Sequence, residues 1–335
     1  MNKILPLALL ALGYQSASAQ LVTESFGSGA NAFTMEFVTI GNPNNAADTT
    51  GAPNPAGSVA YTYNLGKYEV SRGQIDKANA AGSLGITMYD MSSYGGNGLN
   101  KPATGIYWLE ATTYVNWLNT SQGYQAAYKF SGGIFQLWSP TDAGYNANNQ
   151  IRNSQAKYVI ASSNEWYKGA YGNPNGSWSN YPNGSDSAPK AVASGTDPGT
   201  AVYFEQNGPA DISSAGGLSA YGTMGQGGNV WELNETPYDG INNPTSEDRE
   251  YRGGSWNCYG QYFDSLAEFL ASSNYGFPYS LVNGSMEPLD SYFPPFEASL
   301  GFRVASVSVP EPSTGLLVLL GLSGLLLRRR KTGTL

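Results

Sequence analysis

The chain has no histidine among its 335 residues and a single cysteine, Cys258. Without histidine there can be no Ser-His-Asp or Cys-His nucleophile system, none of the usual zinc sites, and no iron site built from histidine and carboxylate. One cysteine cannot close an intramolecular disulfide, so the fold stands on packing, or on packing plus an ion. Charge is scarce as well: Asp, Glu, Lys and Arg make up 13% of the chain, too little for long charged helices.

Glycine (42), tyrosine (24) and tryptophan (7) are plentiful, a composition of turns locked by aromatic packing. At 41% hydrophobic residues the chain can bury a sizeable core, enough for one large or two medium domains. The formal charge is −8, with 17 basic and 25 acidic residues. Setting aside Lys3, Arg328, Arg329, Arg330 and Lys331, with Glu311, which fall in targeting segments, leaves 12 basic against 24 acidic residues, or −12 for the body. Such a body repels nucleic acid and anionic lipid, and a divalent cation is its more natural guest.

The two ends read as addresses. Residues 1–19 have the form of a secretory signal, with Lys3, the apolar core Ile4 to Leu12, and Ala17-Ser18-Ala19 before Gln20. At the other end Val309-Pro310-Glu311-Pro312-Ser313 precedes an apolar run from Thr314 to Leu327 and the cluster Arg328-Arg329-Arg330-Lys331. That run is shorter than the roughly 20 residues that cross a bilayer comfortably, and the basic cluster marks its cytoplasmic side. This tail, residues 309–331, resembles the PEP-CTERM sorting signal of Gram-negative bacteria. The resemblance implies transient membrane anchorage, an exosortase-type processing enzyme as partner, and delivery to the cell surface or extracellular matrix.

Between the ends, Phe33 to Ile40 and Val59 to Tyr68 alternate as strands, joined by the Asn/Asp/Pro/Gly loop from Gly41 to Gly51. Capping-box spacing starts helices at Ser71 with Gln74 and at Ser162 with Glu165. A longer helix from Trp108 to Asn119 places Trp108, Ala111, Val115 and Leu118 on one core face. Gly172 to Gly222 is a long irregular stretch in which Asp186, Asp197, Asn207 and Asp211 are either solvated turn residues or oxygen ligands.

Two glycine-led turns dominate the remainder of the chain: Gly227-Gly228-Asn229-Val230-Trp231-Glu232 and Tyr251-Arg252-Gly253-Gly254-Ser255-Trp256. Taken with Lys67-Tyr68-Glu69-Val70-Ser71-Arg72, Ile106-Tyr107-Trp108-Leu109-Glu110-Ala111, Ser162-Ser163-Asn164-Glu165-Trp166 and Gly301-Phe302-Arg303, the succession resembles the formylglycine-generating enzyme (sulfatase-modifying factor) family. The resemblance spans roughly Phe33 to Ala305, within one domain of residues 20–306. It implies an α+β, loop-rich, C-type-lectin-like fold with a small antiparallel sheet and few helices, in which Trp231 and Trp256 pack the core. It also implies a structural calcium held by the carbonyls of Gly228 and Val230 and the carboxylate of Glu232. Gly225 stands where the family usually carries Asp or Asn, so one side-chain ligand is missing.

The active members use two cysteines five positions apart to bind copper(I), a soft ion suited to two thiolates. Cys258 falls on the first position and Phe263 on the second. One thiolate cannot make that copper site, so Cys258 is a vestigial catalytic position. The expectation is therefore a non-catalytic surface or matrix protein that serves a binding role, towards a glycan or a matrix polypeptide, or a structural one. The alternative is an oxygen- and copper-dependent formylglycine-generating oxidase acting on a sulfatase cysteine. A third reading pairs Glu232 and Glu235 on one helical face for glycoside hydrolysis.

Overall fold

The computed structural model describes residues 20–204, 206–239, 248–257, 270–274, 277–280 and 296–309. Cys258 and Phe263 lie outside the described residues, as do the two targeting segments. In chain order the first strands are β1 (Leu21–Phe26), β2 (Phe33–Ile40) and β3 (Tyr63–Gly66), followed by helices α1 (Arg72–Gly82) and α2 (Trp108–Ser121). After these come β4 (Lys129–Ser131), β5 (Ile134–Gln136), β6 (Tyr158–Ile160), α3 (Ser163–Tyr171), β7 (Lys190–Ala191) and β8 (Thr200–Ala201). The chain closes with β9 (Trp231–Pro237), β10 (Asp248–Arg252), β11 (Phe277–Ser280), β12 (Leu300–Phe302) and β13 (Val304–Ser306).

Two sheets carry the domain. The first has the order β1-β2-β3-β13-β6 and is antiparallel throughout; the second runs β11-β10-β9-β12, with β12 parallel to β9. The hairpin expected between Phe33 and Tyr68 is the β2–β3 pair, although β3 is shorter than its sequence pattern. Three α-helices among the described residues, these small sheets and long connections make an α+β, loop-rich fold.

Local chemistry accounts for the helices. Ser71 accepts from the Gln74 amide while the Gln74 side chain accepts from the Ser71 amide, and Ser162 and Glu165 do the same for α3. The expected face of α2 is fully buried: Trp108, Ala111, Val115 and Leu118 join the main core. Removing these side chains from water contributes on the order of 1.5–3 kcal/mol for each large one, the main support of a helix without strong intrinsic propensity at its threonines.

The segment from Gly172 to Gly222 is irregular, as its composition demands, and hydrogen bonds organise it. Asp186 Oδ1 accepts from the Asn180 amide, and Asp211 meets Lys101 at 3.6 Å. The described residues contain no group of three acidic or cysteine side chains close enough to hold a metal.

Candidate functional site

The stretch from Gly225 to Trp256 supplies β9 and β10, the two central strands of the second sheet. Gly228, at φ +89°, is pressed so close to the residue after β8 that an added Cβ would lie 2.3 Å from the Val202 carbonyl, so only glycine fits. Its amide donates to Gly253 O at 2.7 Å, which ties the first glycine turn to the second. Asn229, also left-handed at φ +61°, is bonded through each of its polar groups. Its amide reaches Val202 O, its carbonyl takes the Trp256 amide, its Oδ1 takes the Ala210 amide, and its Nδ2 donates to Glu69 Oε2 at 2.8 Å. An asparagine here is dictated by four partners, not by turn propensity alone.

Trp231 and Trp256 both pack the core. Trp231 meets Tyr251 edge-on at 5.3 Å, and Trp256 lies 5.6 Å from Tyr94 and donates to Ala298 O. Arg252 is buried as well: its guanidinium sits over the rings of Trp166 and Tyr167 and donates to the carbonyls of Ala52 and Asn274. The Arg-Gly-Gly-Ser-Trp turn is thus an internal clamp, its arginine turned into the protein.

Glu232 is completely buried and takes three donors: Arg303 Nε at 3.0 Å, Arg303 Nη2 at 2.6 Å and Trp166 Nε1 at 2.6 Å. Arg303 stands between β12 and β13, where the chain leaves one sheet for the other. It also donates to Gly66 O and Met224 O, both at 2.7 Å. Glu235 serves a second cluster. Arg152 binds Glu235 through Nε and Glu165 through Nη1 and Nη2, and Tyr128 donates to Glu235 Oε2 while accepting from the Ile160 amide. Burial pushes the Glu165 carboxyl up, but the adjacent Arg152 outweighs it and holds the group below the usual carboxylate range.

These placements correct the hydrolase reading. Glu232 and Glu235 lie on a strand, where a separation of three sends side chains to opposite faces; each is buried and held by a different arginine. They form no acid/base pair.

The donors implied for calcium, Gly228, Val230 and Glu232, stand beside one group that sequence reasoning passed over. Glu69 is buried, its Oε1 has no hydrogen-bond partner, and a Cβ placed on Gly225 would lie 2.9 and 3.0 Å from its two carboxylate oxygens. Glu69 thus fills the space that a side chain at 225 would occupy. Burial and then the nearby Glu232 drive its carboxyl well above the usual range, the signature of an acid in want of a proton or a cation. An all-oxygen set suits a hard cation. Both Glu69 and Arg303 belong to motifs visible in the sequence, but their convergence on the Asn229–Glu232 turn depends on contacts 160 and 71 residues apart.

The family described as "Sulfatase-modifying factor enzyme 1-like domain" matches residues 28–285. The chain belongs to this family. The PEP-CTERM protein-sorting motif matches residues 308–331, which marks the protein for export through a sorting system. Among solved structures, Treponema denticola variable protein 1 superposes with a TM-score of 0.53 at 17% identity, covering 86% of this chain and 99% of its own. The structure of CarF gives a TM-score of 0.50 at 16% identity, with 81% and 98% covered. At these identities the likeness shows the fold alone. No curated protein matches.

Proposed function

We propose that this exported sulfatase-modifying factor family protein is a non-catalytic binding scaffold, displayed at the cell surface or in the matrix after processing of its sorting tail by an exosortase-type enzyme. The chain offers one thiol where the oxidases of the family use two, with Phe263 at the second position. The charged residues of its signature turns are spent inside the fold, on each other and on carbonyls.

The observation that carries a binding role is Phe204. It is 44% exposed and adopts φ +65°, a left-handed conformation that is strained for a bulky side chain. It sits beside the second turn. Gln206 donates from its amide to Trp256 O and from its side chain to Phe204 O, while Tyr94 packs against Trp256. An aromatic held out into solvent is the kind of surface that stacks on a sugar ring or an apolar side chain.

In the same reading, a structural calcium would be held by Gly228 O, Val230 O and Glu69, whose Oε1 is unpartnered, while Glu232 keeps both oxygens on Arg303 and Trp166. When bound it would supply positive charge to the buried Glu69 carboxylate, a stabilising role with no part in a reaction. The binding role is tested by presenting the purified domain to a panel of immobilised polysaccharides and matrix polypeptides, with Phe204→Ala alongside. Retention that drops at least about tenfold in the variant, a loss of ~1.4 kcal/mol, supports it; retention equal in both refutes a role for this surface.

A further inference from the structure

The strand registers place both ends of the domain on one edge. Gln20 O accepts from the amide and hydroxyl of Thr39; Thr39 pairs with Asn64, Asn64 with Ser306, and Ser306 with Tyr158. These residues form a single row across the five-stranded sheet. The chain enters it at Gln20, directly after the signal segment, and leaves it at Ser306. Entry and exit are three strand spacings apart, about 14 Å.

The exit has almost no slack. The last strand ends at Ser306 and the Val307 amide is still bonded to Lys157 O at 2.8 Å, while the sorting motif matches from residue 308. Ser306 to the first residue of the apolar run, Thr314, is eight residues, a reach of about 27 Å even when fully extended. A membrane segment starting at Thr314 therefore cannot stand farther than that from this edge. The signal segment imposes a similar limit: Leu12 to Gln20 spans eight residues, or about 27 Å.

The edge has the chemistry of an interfacial surface. Leu21 is 51% exposed and Tyr61 is 45% exposed. Beside them is a groove of about 510 Å³ lined by Val22, Thr62, Asn64, Tyr124, Lys157 and Val309. Lys157 is neutralised by Glu24 at 2.8 Å and lies 5.5 Å from the Tyr124 ring centre, so the groove adds no net charge. Tyrosine, an exposed leucine and a lysine with an apolar stem are the residue types found at lipid headgroup level.

We infer that this end of the five-stranded sheet, marked by Gln20, Asn64 and Ser306, is the face the domain turns to the bilayer surface while either targeting segment is attached. The inference rests on the export and sorting reading of the two ends. The body's charge of −12 opposes free adsorption to anionic lipid, so the contact lasts only as long as the tether. Tail processing then takes place in the narrow gap between this face and the membrane.

The test uses the full chain, unprocessed and in a Cys258→Ser background, reconstituted into phosphatidylethanolamine/phosphatidylglycerol vesicles that carry a headgroup-located quencher. Single fluorophores are attached at Leu21→Cys, Thr62→Cys or Ser308→Cys on this edge, and at Ser28→Cys beyond the other end of β1, about 20 Å away. Quenching at the three edge positions is expected to exceed that at Ser28→Cys about threefold or more. Inserting a Gly/Ser spacer of about 12 residues between Val309 and Pro310 adds roughly 20 Å of reach and should remove the difference. Equal quenching at Leu21→Cys and Ser28→Cys in bound chain overturns the orientation, and so does protection of the edge that arises only when the processing enzyme is added. A chain that fails to enter vesicles at all overturns the anchoring reading and the orientation with it.

Discussion

Arg303 grips Glu232 through two parallel hydrogen bonds, of 3.0 and 2.6 Å, with both side chains fully buried. The pair is a weld: Arg303 lies between the last strands of the two sheets, and its remaining donors reach Gly66 on one side and Met224 on the other. Removing either partner strands a buried charge. Arg303→Met or Glu232→Gln is expected to lower stability by about 3–5 kcal/mol, and the double change by clearly less than the sum of the two. Denaturant unfolding of the three variants measures this directly.

The second cluster should behave as one unit. Arg152 serves Glu165 and Glu235 together, and Tyr128 bridges Glu235 to the Ile160 amide. Tyr128→Phe takes the acceptor from the buried Ile160 amide and one of the two donors from Glu235 Oε2, at a cost of about 1–3 kcal/mol. The same substitution in an Arg152→Met background should cost much less, because the network is already broken.

Much of the scaffold was legible in the sequence. The capping boxes at Ser71 and Ser162 and the apolar face of α2 are local patterns, and local patterns survive folding unchanged. The paired glycine turns were legible for a related reason: the Asn229 and Trp256 contacts act over short chain distances or through fixed motif spacing. Long-range pairing was not legible. The strand β13, three residues long and inserted between β3 and β6, carries no pattern of its own. Spacing alone suggested that Glu232 and Glu235 share a helical face, whereas the strand period sends them to opposite sides. The orphaned oxygen of Glu69 could not be foreseen, because its cause is the missing side chain at Gly225.

The proposed calcium depends on Glu69 because of that missing side chain. Added calcium should raise the melting temperature of the wild-type domain, by about 2.7 kcal/mol of stability at a hundredfold excess over its dissociation constant. Glu69→Gln should shrink the response. A wild-type domain indifferent to both calcium and chelator would mean that Glu69 keeps a proton instead.

Lys168 gives a pH signature. It is buried in α3 with its ammonium on Asn42 O at 2.9 Å, and burial pulls its pKa down to about 8 from 10.5. Between those two values the unfolded chain binds more protons than the folded one, so stability should rise as the pH climbs from about 8 towards 10.5. Below 8 both states are protonated and this contribution is flat. Lys168→Met should remove the rise, and unfolding midpoints across pH 7 to 10.5 would show it.

The central claim is that the family's cysteine oxidation is absent while its scaffold persists. The purified domain is incubated with copper(I), oxygen and a peptide bearing a sulfatase-type cysteine, and the peptide is weighed by mass spectrometry. An unchanged peptide mass is expected, with a two-cysteine family enzyme converting the same peptide in parallel. Conversion of the cysteine to formylglycine by this chain, with its single Cys258, would contradict the account.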